Sequence, residues 1–302
     1  MKPSILLPAI FLSISCLNSV QAQDLKAYRA AASGLTYAPS EKPEGLYACQ
    51  NRIMAGAKTP GVLNIAVALG YSDLTDEHLD LVTDVFILDA VTRNLTNPCV
   101  YKGQGFCGFK LAQGGEHKVN LYTRELTAAD RQITVNVYTI NSSYSLGNSD
   151  NLTQYKDQQE EQTRTAREFY GWALQNADMV FYEGHSRDGG GPDFAPPRPD
   201  SAGTVDYPWY RANRPGLKFL LTAVDQAKTR PVMLGLYSCA SRIHFLDTLE
   251  KHLPGSKLVL STKVVEGWKT KTALFRTLES ALNFECDPDL RERLSDTSFV
   301  IN

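Results

Sequence analysis

The chain has 302 residues, 43% of them apolar, and sets 31 Lys and Arg against 33 Asp and Glu for a formal net charge of −2. So even a balance gives no electrostatic ground to expect nucleic acid or an anionic membrane as partner. The length suffices for one large domain or two, with a sizeable core in either case.

Residues 1–22 carry Lys2, an apolar stretch from Ile5 to Leu12 and a Val20-Gln21-Ala22 triplet of the kind that precedes signal cleavage. The segment reads as a secretory signal peptide. Cys16 follows Ser13-Ile14-Ser15 where a lipoprotein would have a leucine-type box, so lipid attachment is not expected. No later apolar run approaches the ~20 residues needed to span a bilayer. The expectation is an exported protein, secreted or periplasmic, with no membrane association after cleavage. Cleavage would leave Cys49, Cys99, Cys107, Cys239 and Cys286 in a compartment where exposed thiols pair, and an odd set leaves one over. Cys99 and Cys107 flank a short glycine-containing loop and are natural partners; Cys49 with Cys286 would then tie the two ends of the chain, and Cys239 would remain free. The other connectivities of those four cysteines stay open.

Residues 23–130 mix helical patterns with glycine-rich loops and give no assignable fold. Their best helix runs from about Thr75 to Asn94, with Leu79, Val82, Phe86 and Ala90 on one face. The glycine-rich segment from Cys99 to Lys118 reads as a hairpin or loop. Residues 131–302 alternate cleanly and are expected to form a separate α/β domain. Strands are predicted at Gln132–Ile140, Met179–Gly184, Val232–Ser238 and Lys257–Leu260, and helices at about Gln154–Ala177, Leu217–Lys228, Ser241–His252 and Thr270–Leu282. Strands separated by helical patterns imply βαβ units and a mostly parallel sheet covered on both faces. The near-continuous apolar runs MVFY and VMLGLY suit central strands buried on both sides.

Between Ser186 and Pro215 lie 30 residues with six prolines and four glycines. A connection this long in a compact domain is functional or disordered, and the aromatic residues Phe194, Tyr207, Trp209 and Tyr210 favour a binding loop or lid that contacts substrate.

Two strand-end motifs carry the chemistry: MVFYEGH ends at His185 and VMLGLYSC at Cys239. In an α/β sheet the carboxyl ends of neighbouring parallel strands lie side by side, where ligands and catalytic groups collect. An imidazole beside a thiol makes a thiolate nucleophile, which points to a cysteine hydrolase acting on a peptide or protein substrate. His185 would take the thiol proton and return it to the leaving amine. The backbone N–H groups of Ser186 and Cys239 are the expected oxyanion donors. Glu183, two residues before His185, could orient the imidazole, although a salt-bridged carboxylate is the commoner fate of such a residue.

Phe181-Tyr182-Glu183-Gly184-His185 and Leu236-Tyr237-Ser238-Cys239-Ala240-Ser241 resemble, in character, order and spacing, the strand-end motifs of the caspase-like cysteine peptidases, the group of caspases, metacaspases, legumain and gingipains. The resemblance covers about residues 131–285. It implies a caspase-like sheet, with His185 and Cys239 as the catalytic pair and peptide-bond hydrolysis as the reaction. Two departures stand out. Ser186 replaces the glycine after the histidine, and Tyr237 sits where metacaspases place an acidic residue that selects Arg or Lys substrates.

Two rival readings remain. Gly184-His185-Ser186-Arg187-Asp188 looks like the G-x-S-x-G elbow of an α/β-hydrolase serine esterase with Ser186 as nucleophile, but Asp188 stands where the elbow needs glycine, and the proline-rich continuation opposes a helix. The other is a non-catalytic binding protein built on the same sheet. His244 is a fallback base. His78, His117, His244 and His252 show no metal-ligand spacing, so neither metal nor cofactor is expected. Asn94, Asn141 and Asn151 begin N-x-S/T triplets that would accept glycans only in a eukaryotic secretory host.

Overall fold

The structure, a computed structural model, describes residues 43–72, 83–100 and 104–302. Its centre is a single eight-stranded sheet: β1 (Val62–Leu69), β2 (Lys110–Gln113), β3 (Asn120–Ala128), β4 (Arg131–Asn141), β5 (Met179–Glu183), β6 (Met233–Tyr237), β7 (Lys257–Ser261) and β8 (Phe299–Ile301), in the spatial order β2-β3-β4-β1-β5-β6-β7-β8. β4, β1, β5, β6 and β7 are parallel, while the β2–β3 hairpin at one edge and β8 at the other run antiparallel. The protein is therefore α/β with a mixed, mostly parallel sheet flanked by helices.

The boundary expected at residues 130/131 falls in the turn between β3 and β4, and β1, from before that point, lies between β4 and β5 from after it. The two segments share one sheet. The physical reason is β1 itself: VLNIAVAL is apolar on both faces, so it belongs where both faces are covered.

Helices cover each side. On one face Leu63, Ile65, Val67, Phe181 and Tyr237 pack against α1 (Pro43–Ala55), α2 (Asp84–Thr96) and, after β7, α8 (Gly267–Leu282) and α9 (Asp287–Leu294). On the other, Ala66, Ala68, Val180, Tyr182, Leu234 and Leu236 meet α4 (Lys156–Asn176), α6 (Pro215–Gln226) and α7 (Ser241–His252). Successive strand residues alternate between these two cores, as the pleat requires. The short helices α3 (Asn148–Leu152) and α5 (Tyr207–Asn213) complete the described elements.

Of the helix expected from Thr75, positions 75–82, including Leu79 and Val82, lie outside the described residues, as does His78. The described part starts at Thr83, whose side chain accepts the Phe86 N–H, and it buries Ile87, Ala90, Val91 and Leu95. Phe86 is only partly buried, so the apolar face is turned one position from the expected one. Disulfides join Cys49 to Cys286, with Cα atoms 5.4 Å apart, and Cys99 to Cys107, at 5.2 Å. Cys239 is a free thiol. Asn94, Asn141 and Asn151 are buried, and each side chain donates a hydrogen bond to a main-chain carbonyl, which leaves none of the three triplets accessible to glycan attachment. Among the described residues no helix is long and apolar enough to cross a membrane.

Candidate active site

Counting only the parallel strands in chain order, the sheet runs 2-1-3-4-5, and the chain reverses its direction of travel between β1 and β5. Crevices that hold ligands in open α/β sheets form at the carboxyl edge near such a reversal. His185 leaves β5 at that edge. Cys239 leaves β6, the next strand along.

β5 and β6 pair in parallel with Glu183 opposite Tyr237, and the Gly184 N–H reaches the Tyr237 carbonyl at 3.2 Å. His185 and Cys239 thus stand at the same offset, two residues beyond matched positions on neighbouring strands. Both are half-buried. Among the described residues, neither the Ser186 nor the Cys239 main-chain N–H donates a hydrogen bond, which leaves two free donors at adjacent strand ends.

The turn bearing Cys239 is locked by serines. The Ser241 N–H donates to Ser261 Oγ at 2.9 Å and the Ser261 N–H returns a bond to Ser241 Oγ at 2.8 Å. Their hydroxyls then donate to the carbonyls of Leu236 (2.9 Å) and Ser238 (2.6 Å). Ala240, in the left-handed region at φ 50°, turns the chain from β6 into α7, and its N–H donates to the Lys263 carbonyl at 2.8 Å. The Cys239 thiol lies 3.4 Å from the Val265 carbonyl, in the loop after β7. Buried main-chain groups are all the more directional because water cannot replace a lost partner.

The segment after His185 is held to the helix after Cys239. Asp188 lies 3.2 Å from Arg211 and 3.8 Å from His244 Nε2, while Arg214 donates to the Gly189 carbonyl (3.1 Å) and to the His244 carbonyl (2.7 Å). Burial lowers the His244 pKa; Asp188 opposes the shift and Arg214 adds to it. His244, expected as a fallback base, is part of this clasp.

Glu183 does not face solvent. It is buried against α8, accepting from Thr270 Oγ1 at 2.8 Å and pairing with Lys271 Nζ at 3.3 Å. Tyr237 is also buried, packed on Phe181 and Phe299 with centroids 6.1 and 5.5 Å away, so this position cannot select a substrate side chain.

Of the four aromatics in the long segment after Ser186, expected as a binding loop or lid, two are buried and two lie at the surface. Phe194 is buried between Tyr170 and Tyr182, and Tyr210 is buried with its hydroxyl 3.2 Å from Asp193 Oδ2. Their apolar area is worth more in the core than in a loop, and the prolines that exclude long helices let the chain fold back to deliver it. Tyr207 is exposed, and Trp209 carries the Arg198 guanidinium over its ring at 4.8 Å; these two aromatics remain at the surface. Ser186 is buried and opens a turn, with Gly190 N–H on the Arg187 carbonyl and Gly191 N–H on the Ser186 carbonyl. No helix begins until Tyr207, so the strand-to-helix elbow that a serine esterase needs is not formed.

Asp193, Ser261 and Lys271 support the site without having stood out in the sequence, whereas Tyr182 and Ser241 stand within the two strand-end motifs, with no supporting role assigned to them there. Among the described residues no group of three or more His, Cys, Asp or Glu is placed to hold a metal ion. In comparison with known proteins, the chain matches no family model, no curated protein and no solved structure.

Proposed function

We propose that this protein is an exported cysteine peptidase of caspase-like type, with Cys239 as nucleophile and His185 as acid and base. One observation carries the reading: the one free cysteine among the described residues and a histidine leave neighbouring parallel strands at the same register, at the edge where such sheets place their chemistry. The disulfides fit an oxidising compartment, secreted or periplasmic.

His185 removes the thiol proton as Cys239 sulfur attacks the scissile carbonyl carbon, and negative charge collects on the carbonyl oxygen. The N–H groups of Ser186 and Cys239 are the free donors for that oxygen. Collapse breaks the C–N bond; His185 gives its proton to the departing amine and leaves an acyl-thioester on Cys239. Water, deprotonated by His185, then releases the carboxylic acid and restores the thiol. With Tyr237 in the core, side-chain selection falls to groups lining the strand ends, including the loop from Thr262 to Glu266 that touches Cys239.

The test is cleavage of a mixed peptide library by the wild type, Cys239→Ala and Ser186→Ala. Loss of about 10³-fold or more with Cys239→Ala, and retention with Ser186→Ala, is the expected result. Loss with Ser186→Ala alone would move the nucleophile to that serine, and an inert wild type would leave a binding role.

A further inference from the structure

We propose that Tyr182 is a positioning residue for the dyad: its hydroxyl, sunk beneath the strand ends, fixes the main chain at His185 and so sets where the imidazole stands against Cys239. The inference rests on the reading of His185 and Cys239 as a catalytic pair.

The Tyr182 ring is fully buried, beside Phe194 at 5.4 Å and Tyr170 at 5.9 Å. Its Oη lies 3.0 Å from the His185 carbonyl and 3.1 Å from the Asp193 carbonyl, and it accepts the Asp193 N–H at 2.9 Å. One phenol therefore joins both ends of the stretch from His185 to Asp193. The far end is anchored again, since the Asp193 carbonyl accepts the Tyr71 N–H at 3.2 Å and its carboxylate binds Arg187 Nε at 2.9 Å.

Two glycines make room for this hydroxyl. A Cβ on Gly70, at the end of β1, would come within 2.4 Å of Tyr182 Oη, and one on Gly184 within 2.6 Å. The glycine that precedes His185 is thus explained by the hydroxyl beneath it. The charged groups around the hydroxyl are Asp193, Arg187 and Glu183. Asp193 and Arg187 pair with each other, and Glu183 pairs with Lys271. With those charges already matched, the hydroxyl's contribution at His185 is geometric.

Tyr182→Phe removes one atom. Turnover of a peptide selected from the library is expected to fall about tenfold to a hundredfold with KM changed less than about twofold, because misplacing a reacting group by an ångström costs on that order. Iodoacetamide labelling of Cys239 at about pH 6.5 is expected to slow toward the rate of His185→Ala, with rates converging above about pH 9 where a thiol ionises unaided. The control is Tyr170→Phe: that neighbouring buried hydroxyl has no hydrogen-bond partner among the described residues, and its removal should leave both readouts unchanged. Gly70→Ala, which crowds the same hydroxyl from another strand, should reproduce the Tyr182→Phe profile and decides the matter if the latter does not fold. Wild-type labelling in Tyr182→Phe or Gly70→Ala, while His185→Ala is slowed, overturns the role of Tyr182 and leaves the dyad standing. Equal labelling of wild type and His185→Ala overturns both.

Discussion

Asp84 opens α2 in a buried position, where its Oδ2 accepts the N–H groups of Ser142 (2.9 Å) and Ser143 (2.6 Å) at the end of β4. Burial outweighs those hydrogen bonds and raises its pKa to about 6. The folded state then holds this proton more tightly than the unfolded chain does. Stability from the group is full below the ordinary carboxylate range and is lost as pH rises through about 6, a difference of about 3 kcal/mol. Asp84→Asn keeps an oxygen for both N–H groups and removes the charge. Melting curves should show the variant gaining on the wild type between about pH 4 and pH 6.5 and holding that gain above it; a difference that does not vary with pH would contradict the assignment. At single residues the sequence was informative where chemistry is scarce and silent where packing decides. A histidine and an odd cysteine at strand ends announce themselves, and the odd cysteine is indeed the free one. Phe194 and Tyr210 could not be told from surface aromatics, because burial of a loop residue depends on where the loop returns.

The ion pair of Glu183 with Lys271 links β5 to α8, with both side chains less than a tenth exposed. Lys271→Met would strand a carboxylate in the core, and denaturant unfolding should register a loss of about 3–5 kcal/mol. Replacing both partners, Glu183→Leu with Lys271→Met, should recover most of that loss; equal losses in the single and double variants would mean the pair is not coupled. Elements that repeat a strand–helix rhythm were legible in the sequence nearly to the residue: Met179–Glu183, Met233–Tyr237 and Ser241–His252 fall where apolar runs and helical spacing put them. β1 was not legible in this way, although its run VLNIAVAL, ending at Leu69, is as apolar as β5. It stands far ahead of the alternating region, separated from its partner β4 by the β2–β3 hairpin, and pairing across such a gap leaves no local mark. β8 has three residues and α5 seven, too short for either period to show.

For the molecule as a whole, the two disulfides differ most in the loop they close: Cys49–Cys286 spans a separation of 237 residues and Cys99–Cys107 only 8. Loop-closure entropy assigns about 5.5 kcal/mol to the first and about 2.5 kcal/mol to the second. Replacing each pair with serine should therefore reduce the unfolding free energy more for Cys49/Cys286, and the reverse order would show that native-state packing outweighs chain entropy. That long bridge ties α1, next to β1, to the turn before α9, so the same crosslink guards the sheet that sets β5 beside β6. The sheet's parallel character was readable in residues 131–302, whereas its unity with the earlier segment was not, since nothing local shows that β1 fills the place between β4 and β5. The most direct measurement on the central claim is the rate of iodoacetamide labelling of Cys239 in wild type and His185→Ala across the range from about pH 5 to pH 9. The wild type should react at least tenfold faster than the variant near pH 6.5 and at a similar rate near pH 9; superimposable curves would mean that the imidazole and the thiol do not act together.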